Sequence, residues 1–269
     1  MTNKIYILLV TLQLFTYNGD IPMQNNSSLY LSKNQILEYS IEALKGDSVK
    51  SSYLYDYYAL YDDNFIEGEY WLMIGAENGD ETLEYSYACI LKESHDDYFR
   101  AIFYLKKSSE KGNEAAKTML QRLMEKIGIN EEFKINENDF ESINENNIHL
   151  FYNSAKSGSI EATEKLVQYY KTLNTLNITQ STLERISDET SYIFWIRIGA
   201  QNGSKNCIKE YIELLQNSSD KNDNIRAEFW STVAAKTSDC LKNFFKCRTM
   251  MGSCFFSINI FKKICTHFS

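Results

Sequence analysis

Apolar positions in this chain recur at steps of three and four residues, the period of a helix with one buried face. Trp71, Ile74, Gly75 and Ala76 follow that step, and so do Leu83, Tyr87 and Ile90 after Gly79 and Asp80. The pattern predicts two antiparallel helices joined by a tight turn. It is also written twice. "EYWLMIGAENGDETLEY" runs from Glu69 to Tyr85, and "FWIRIGAQNGSKNCIKEY" runs from Phe194 to Tyr211, with Trp71 and Trp195 standing 124 residues apart. A phrase copied in this way marks a repeated structural unit.

The copies extend through most of the chain. An Ala or Ser stands three residues before a Gly in Ala43–Gly46, Ala76–Gly79, Ser109–Gly112, Ala155–Gly158 and Ala200–Gly203, and a sixth copy, Ala235–Ser238, has lost the Gly. Six to eight residues before each anchor is an aromatic residue: Tyr39, Trp71, Tyr104, Phe151 and Tyr152, Trp195, Trp230. Eight after come Leu54, Tyr87, Leu120, Leu166 and Tyr211. The Gly is expected to close the first helix in a left-handed conformation, and Asp80, Asn113, Ser159 and Ser204 are expected to cap the second. The small Ala lets the two helices approach, and the bulky residues fill the grooves between pairs. One hairpin cannot bury its apolar face alone, so the units must stack. With Pro22 as the single proline, nothing after it interrupts a helix. The expectation is an all-α fold, an α/α superhelical solenoid of about five to six helix–turn–helix repeats over residues 30–245. Anchors at 46, 79, 112, 158, 203 and 238 leave two longer gaps, occupied by "INEEFKINENDFESINENN" and "LNTLNITQSTLERISDET". Both read as polar insertions with an additional helical turn.

The pattern Tyr70-Trp71, Gly75-Ala76, Gly79, Leu83 and Tyr87, with its copies, resembles the Sel-one-like repeats, which are related to tetratricopeptide repeats. The resemblance covers residue 34 to about 245. It is specific in the second to fifth units, weaker in the first, where Lys50 stands at a position that is apolar or small elsewhere, and weakest in the sixth. It implies a right-handed superhelix that serves as an adaptor or binding surface. Many bacterial members are similar in carrying a secretion signal, and some look like protective partners of toxins. A cysteine-rich subset, described as penicillin-binding or β-lactamase-like, places a disulfide in each repeat. This chain departs from that subset, since its clear repeats hold only Cys89 and Cys207, in different units.

Charge and composition set the ends apart. The chain has 269 residues and a formal charge of −8, which argues against a general affinity for nucleic acid. No acid follows Asp239, while Lys242, Lys246, Arg248, Lys262 and Lys263 do, so residues 1–239 carry −13. Residues 246–269 read as a basic, Phe- and Cys-rich tail. The apolar run from Ile5 to Phe15 is too short to span a bilayer. Residues 1–23 therefore read as a signal peptide or an apolar N-terminal segment, which favours a periplasmic or secreted location over a cytoplasmic one. Membrane contact is expected only through the termini.

Motifs for chemistry are sparse. Ser-x-x-Lys occurs at Ser108–Lys111 and Ser218–Lys221 without the companion motifs of β-lactamases. His95, His149 and His267 are scattered, and there is no phosphate loop or His-Glu-x-x-His. Cys240, Cys247, Cys254 and Cys265 with His267 lack the Cys-x-x-Cys knuckles of zinc sites, and Asn177-Ile178-Thr179 is a glycosylation acceptor only in a eukaryotic secretory pathway. The reading is a non-enzymatic scaffold with no catalytic residue, cofactor or metal; the alternatives are an exported hydrolase of the penicillin-binding kind and a membrane-associated scaffold held by its basic, Phe-rich tail. Its partner is another protein, bound on the concave face through solvent-facing positions of the first helices: Glu69, Met73, Glu77, Lys106, Glu110, Arg197 and Gln201.

Overall fold

The computed structural model describes residues 29–129, 143–173, 183–185 and 188–250, with the side chains of the last helix as far as Thr237. The N-terminal apolar run, most of the acidic insertion, Asn177 and the cysteines of the tail lie outside the described residues or side chains. Eleven α-helices are described and no strand among them: α1 (Lys33–Leu44), α2 (Ser48–Asp56), α3 (Phe65–Glu77), α4 (Glu81–Ser94), α5 (Tyr98–Glu110), α6 (Glu114–Ile127), α7 (Ile148–Lys156), α8 (Ile160–Thr172), α9 (Tyr192–Gln201), α10 (Lys205–Gln216) and α11 (Lys221–Met250). Each packs against the next along most of the chain, forming five hairpins stacked as an α/α solenoid.

The repeat grammar translates directly into geometry. Gly46, Gly79, Gly112, Gly158 and Gly203 all have positive φ, from 90° to 115°, and each ends the first helix of a hairpin. The following residues, Asp47, Asp80, Asn113, Ser159 and Ser204, accept backbone N–H bonds through their side chains and cap the second helix. Ala43, Ala76, Ala155 and Ala200 are at most 2% exposed, and Trp71, Tyr104, Trp195 and Trp230 are buried beside them. Between the first units the chain turns through Asp63 and Asp96, both in the left-handed region, just ahead of the caps Asn64 and Asp97.

The sixth copy does not make a hairpin. Without a Gly at Ser238, α11 runs on for 30 residues, past the expected boundary at 245, and Ala235 is exposed instead of sitting at a helix crossing. Trp230 still packs as the repeat predicts, edge-on to Tyr211 at 5.8 Å. The second insertion also differs from a surface loop. Its 3₁₀ turn, Leu183–Arg185, buries Leu183, whose N–H donates to Asp223 Oδ1 at 3.0 Å. Arg185 reaches Glu67 at 2.7 Å and lies 3.7 Å over the Tyr70 ring.

The closest helix crossings belong to glycines inside the hairpins. A Cβ at Gly199 would stand 2.4 Å from Cys207 Sγ and 2.8 Å from its Cβ. Gly199→Ala is therefore expected to destabilise the fold by about 1–3 kcal/mol, an overpacking cost. Cys207→Ala in the same chain should recover part of it in urea unfolding, and additive losses would contradict this crossing.

The superhelix curls far enough that its last helix meets its first. α11 packs on α1, the Phe229 ring would stand 2.9 Å from a Cβ on Gly46, and Lys45 pairs with Glu228 at 3.0 Å. The buried apolar residues form three clusters, in units one and two, two and three, and from unit four to α11. The seam between units three and four is bridged by polar groups: Lys156 pairs with Asp97 at 3.0 Å, and Arg100 donates to the Lys156 carbonyl at 3.2 Å.

Candidate functional site: the inner face of the superhelix

Tight curvature brings the first helices of units two, three and five against one another across the centre. Four of the seven residues expected on an open concave face meet there. Met73 lies 3.6 Å from Arg197 Nη1, and Gln201 donates to Glu77 Oε1. The expectation that these positions face solvent is corrected for three of them, since Met73, Glu77 and Arg197 are only 8%, 9% and 7% exposed. Hydrophobic period identifies which side of a helix turns inward, but not how small the superhelix radius is. Lys106 and Glu110 are exposed and do not join the cluster. Glu69 and Gln201 are half-buried.

One half of the inner face is filled by a polar network. The Arg226 guanidinium, fully buried on α11, pairs with Glu77 Oε2 at 2.9 Å and donates to Asn78 Oδ1 at 2.7 Å and to the Leu44 carbonyl at 3.1 Å. Its planar group also lies 3.9 Å over Phe229. Gln201 links Glu77 to Arg100, which in turn donates to Asn202 Oδ1 at 3.0 Å and stacks 3.9 Å over Phe103. Buried charges of this kind persist only when paired and hydrogen-bonded.

Two asparagines carry this network from unit to unit. Asn78 Nδ2 donates to the Ala43 carbonyl at 2.9 Å, and Asn202 Nδ2 donates to the Ala155 carbonyl at 2.8 Å. Each satisfies a helix-end carbonyl of the preceding unit. Their role was absent from the sequence reading, although the signal was there: Asn-Gly is identical in the two copied phrases. Lys111 stands at the same position in unit three and does the same for Gly79, its Nζ 2.7 Å from that carbonyl.

The other half remains open as a cavity of about 510 Å³. Met73, Tyr87, Tyr104, Phe194 and Ile198 contribute apolar wall, and Arg100, Arg197 and Gln201 reach it from the network. At its rim stand Glu69, His95, Asp96, Asp97, Lys156 and Glu189. His95 Nε2 lies 2.7 Å from Glu69 Oε1, and that bond holds the imidazole pKa above its ordinary value. Burial pulls the Lys156 ammonium down, but Asp97 and Glu189 outweigh it and leave its pKa raised.

Both Ser-x-x-Lys serines have fixed partners. Ser108 is fully buried, with its Oγ donating to the Glu81 carbonyl at 2.6 Å, and Lys111 pairs with Glu84 at 2.8 Å. Ser218 Oγ donates to Asp223 Oδ2 at 2.6 Å. Burial pushes the Glu84 carboxyl up despite Lys107 and Lys111. Cys89 and Cys207 are free, buried thiols, each with its pKa raised by burial. Among the described residues, no group of three or more His, Cys, Asp or Glu is set to hold a metal, and no helix is long and apolar enough to cross a membrane.

No family model matches the chain. No solved structure matches it either. Among curated proteins the chain is similar to the uncharacterized protein YibG of Escherichia coli (strain K12), with 26% identity over 121 residues, 40% of this chain and 79% of that protein.

Proposed function

We propose that the chain is a non-enzymatic repeat protein, of the Sel-one-like kind that its phrases resemble, which binds another protein through its inner face. The observation that carries this reading is the cavity of about 510 Å³ left open between α3, α5 and α9, where the solenoid gathers aromatic walls and a charged rim from units far apart in sequence. Concave sites with apolar walls and a few placed polar groups are where such folds bind. The reactive-looking serines support a scaffold over a hydrolase, because Ser108 and Lys111 are spent on contacts between units. With −13 on residues 1–239, the body favours a basic partner through association rate and selectivity. An exported adaptor or an immunity-type partner is the form of this reading most in keeping with the apolar N-terminal run.

Site-directed cross-linking tests it. A photoreactive group on a cysteine introduced at Glu69 should capture one protein from lysate of the source organism. The same group at Lys117, exposed on α6 and not part of the cavity lining, should not. Equal capture at both positions, or capture of chaperones alone, would refute an inner-face binding site.

A further inference from the structure

Contacts across the centre of the superhelix come in matched sets. Arg100 on α5 donates to the Lys156 carbonyl at 3.2 Å and to Asn202 Oδ1 at 3.0 Å, reaches Gln201, and stacks 3.9 Å over Phe103. Arg226 on α11 donates to the Leu44 carbonyl at 3.1 Å and to Asn78 Oδ1 at 2.7 Å, pairs with Glu77, and stacks 3.9 Å over Phe229. The two sets occupy the same repeat positions. Leu44 and Lys156 follow Ala43 and Ala155, and Glu77-Asn78 and Gln201-Asn202 precede Gly79 and Gly203. The glycines agree as well: a Cβ at Gly46 would stand 2.9 Å from Phe229, and one at Gly158 would stand 3.1 Å from Phe103. The packing of α5 on α7 is thus the counterpart of the packing of α11 on α1.

Two further contacts define how the halves are related. Gln201 bonds to Glu77, and Arg197 touches Met73; in both, the partners hold the same place in the copied phrases, 124 residues apart. Equivalent residues meet in this way at a two-fold axis, as in an isologous dimer interface, and not along a simple stack of repeats. The buried apolar clusters respect the same division, two of them within units one to three and the third from unit four to α11.

We propose that the chain is a tethered dimer, in which residues 33–127 and 148–237 are modules that recognise each other without needing the peptide link between them. The partner that fits the closed half of the inner face is accordingly a second three-unit module. Departures from symmetry on the axis favour this pairing over self-pairing. Two copies of the first module would set Glu77 against Glu77, and two of the second would set Arg197 against Arg197. The inference is independent of the protein-binding reading, which concerns the open cavity.

A protease site inserted after Asn136 of the full chain lets the link be cut once the protein has folded. The cut chain should sediment as one species of unchanged mass. Its two pieces, parted in urea and mixed again, should restore that species. Gln201→Glu, at a half-buried position, sets two carboxylates together and should raise the concentration at which the cut chain dissociates by at least about ten-fold. Arg100→Gln should act in the same direction, since its bonds all cross from the first module to the second. Circular dichroism of the uncut variants separates lost association from lost fold. Pieces that part on cutting, that fail to reassemble, or whose association ignores both substitutions would overturn the proposal.

Discussion

Arg226→Ala is expected to destabilise the protein by about 3–5 kcal/mol, because it leaves the buried Glu77 carboxylate without its charged partner. Both side chains of the pair are 0% exposed and 2.9 Å apart, and Arg226 also supports Asn78 and the end of α1. Glu77→Ala should cost a similar amount for the mirror-image reason. The two together should not be additive. Arg226→Met with Glu77→Leu should regain much of the loss, since a buried ion pair is often replaceable by apolar groups of like volume. Urea unfolding of the four chains gives the coupling energy directly. A cost under 1 kcal/mol for either single change would mean that α11 is not held to the first units as described. Hydrogen exchange offers a second view: loss of Arg226 should release the amides at the end of α1 first, because α11 rests there.

Trp195→Ala should cost a comparable amount, about 3–5 kcal/mol, by emptying the centre of the largest apolar cluster. Trp195 is fully buried, packs 4.9 Å from Tyr152 and from Phe194, and donates its indole N–H to the Glu189 carbonyl at 2.7 Å. The three repeat tryptophans are not equivalent in this respect. Trp71 and Trp230 are equally buried, but neither indole N–H has an acceptor among the described residues. Trp71→Phe should thus cost less than Trp195→Phe, since only the latter removes a made hydrogen bond and leaves a carbonyl unsatisfied. Thermal unfolding of the two Phe variants checks the order, and the reverse order would contradict the hydrogen-bond assignment.

The candidate site was legible in part. Trp71, Trp195 and the anchor glycines stood out because repetition enforces them, whereas Met73, Glu77, Arg197 and Gln201, expected at solvent-facing positions, meet one another instead. Their exposure was not legible. A charged residue between apolar ones reads as a solvated position, since unpaired charges are excluded from cores. Glu77, Arg100 and Arg226 enter the interior only because each meets its partner from a unit many residues away. Asp223 is another such case, buried at the start of α11 to hold Leu183.

The sequence by itself determined the units: where each helix stops, what caps the next, and which small residue lets a hairpin close. Those are local requirements, settled by a glycine's access to positive φ and by a side-chain oxygen beside free N–H groups. Curvature is a different kind of quantity. It is the sum of small rotations at each stacked interface, so no single phrase contains it. Only the tertiary structure decided that α11 returns to α1, that half of the inner face closes over Glu77 and Arg226, and that the remaining half stays open as an acid-rimmed cavity.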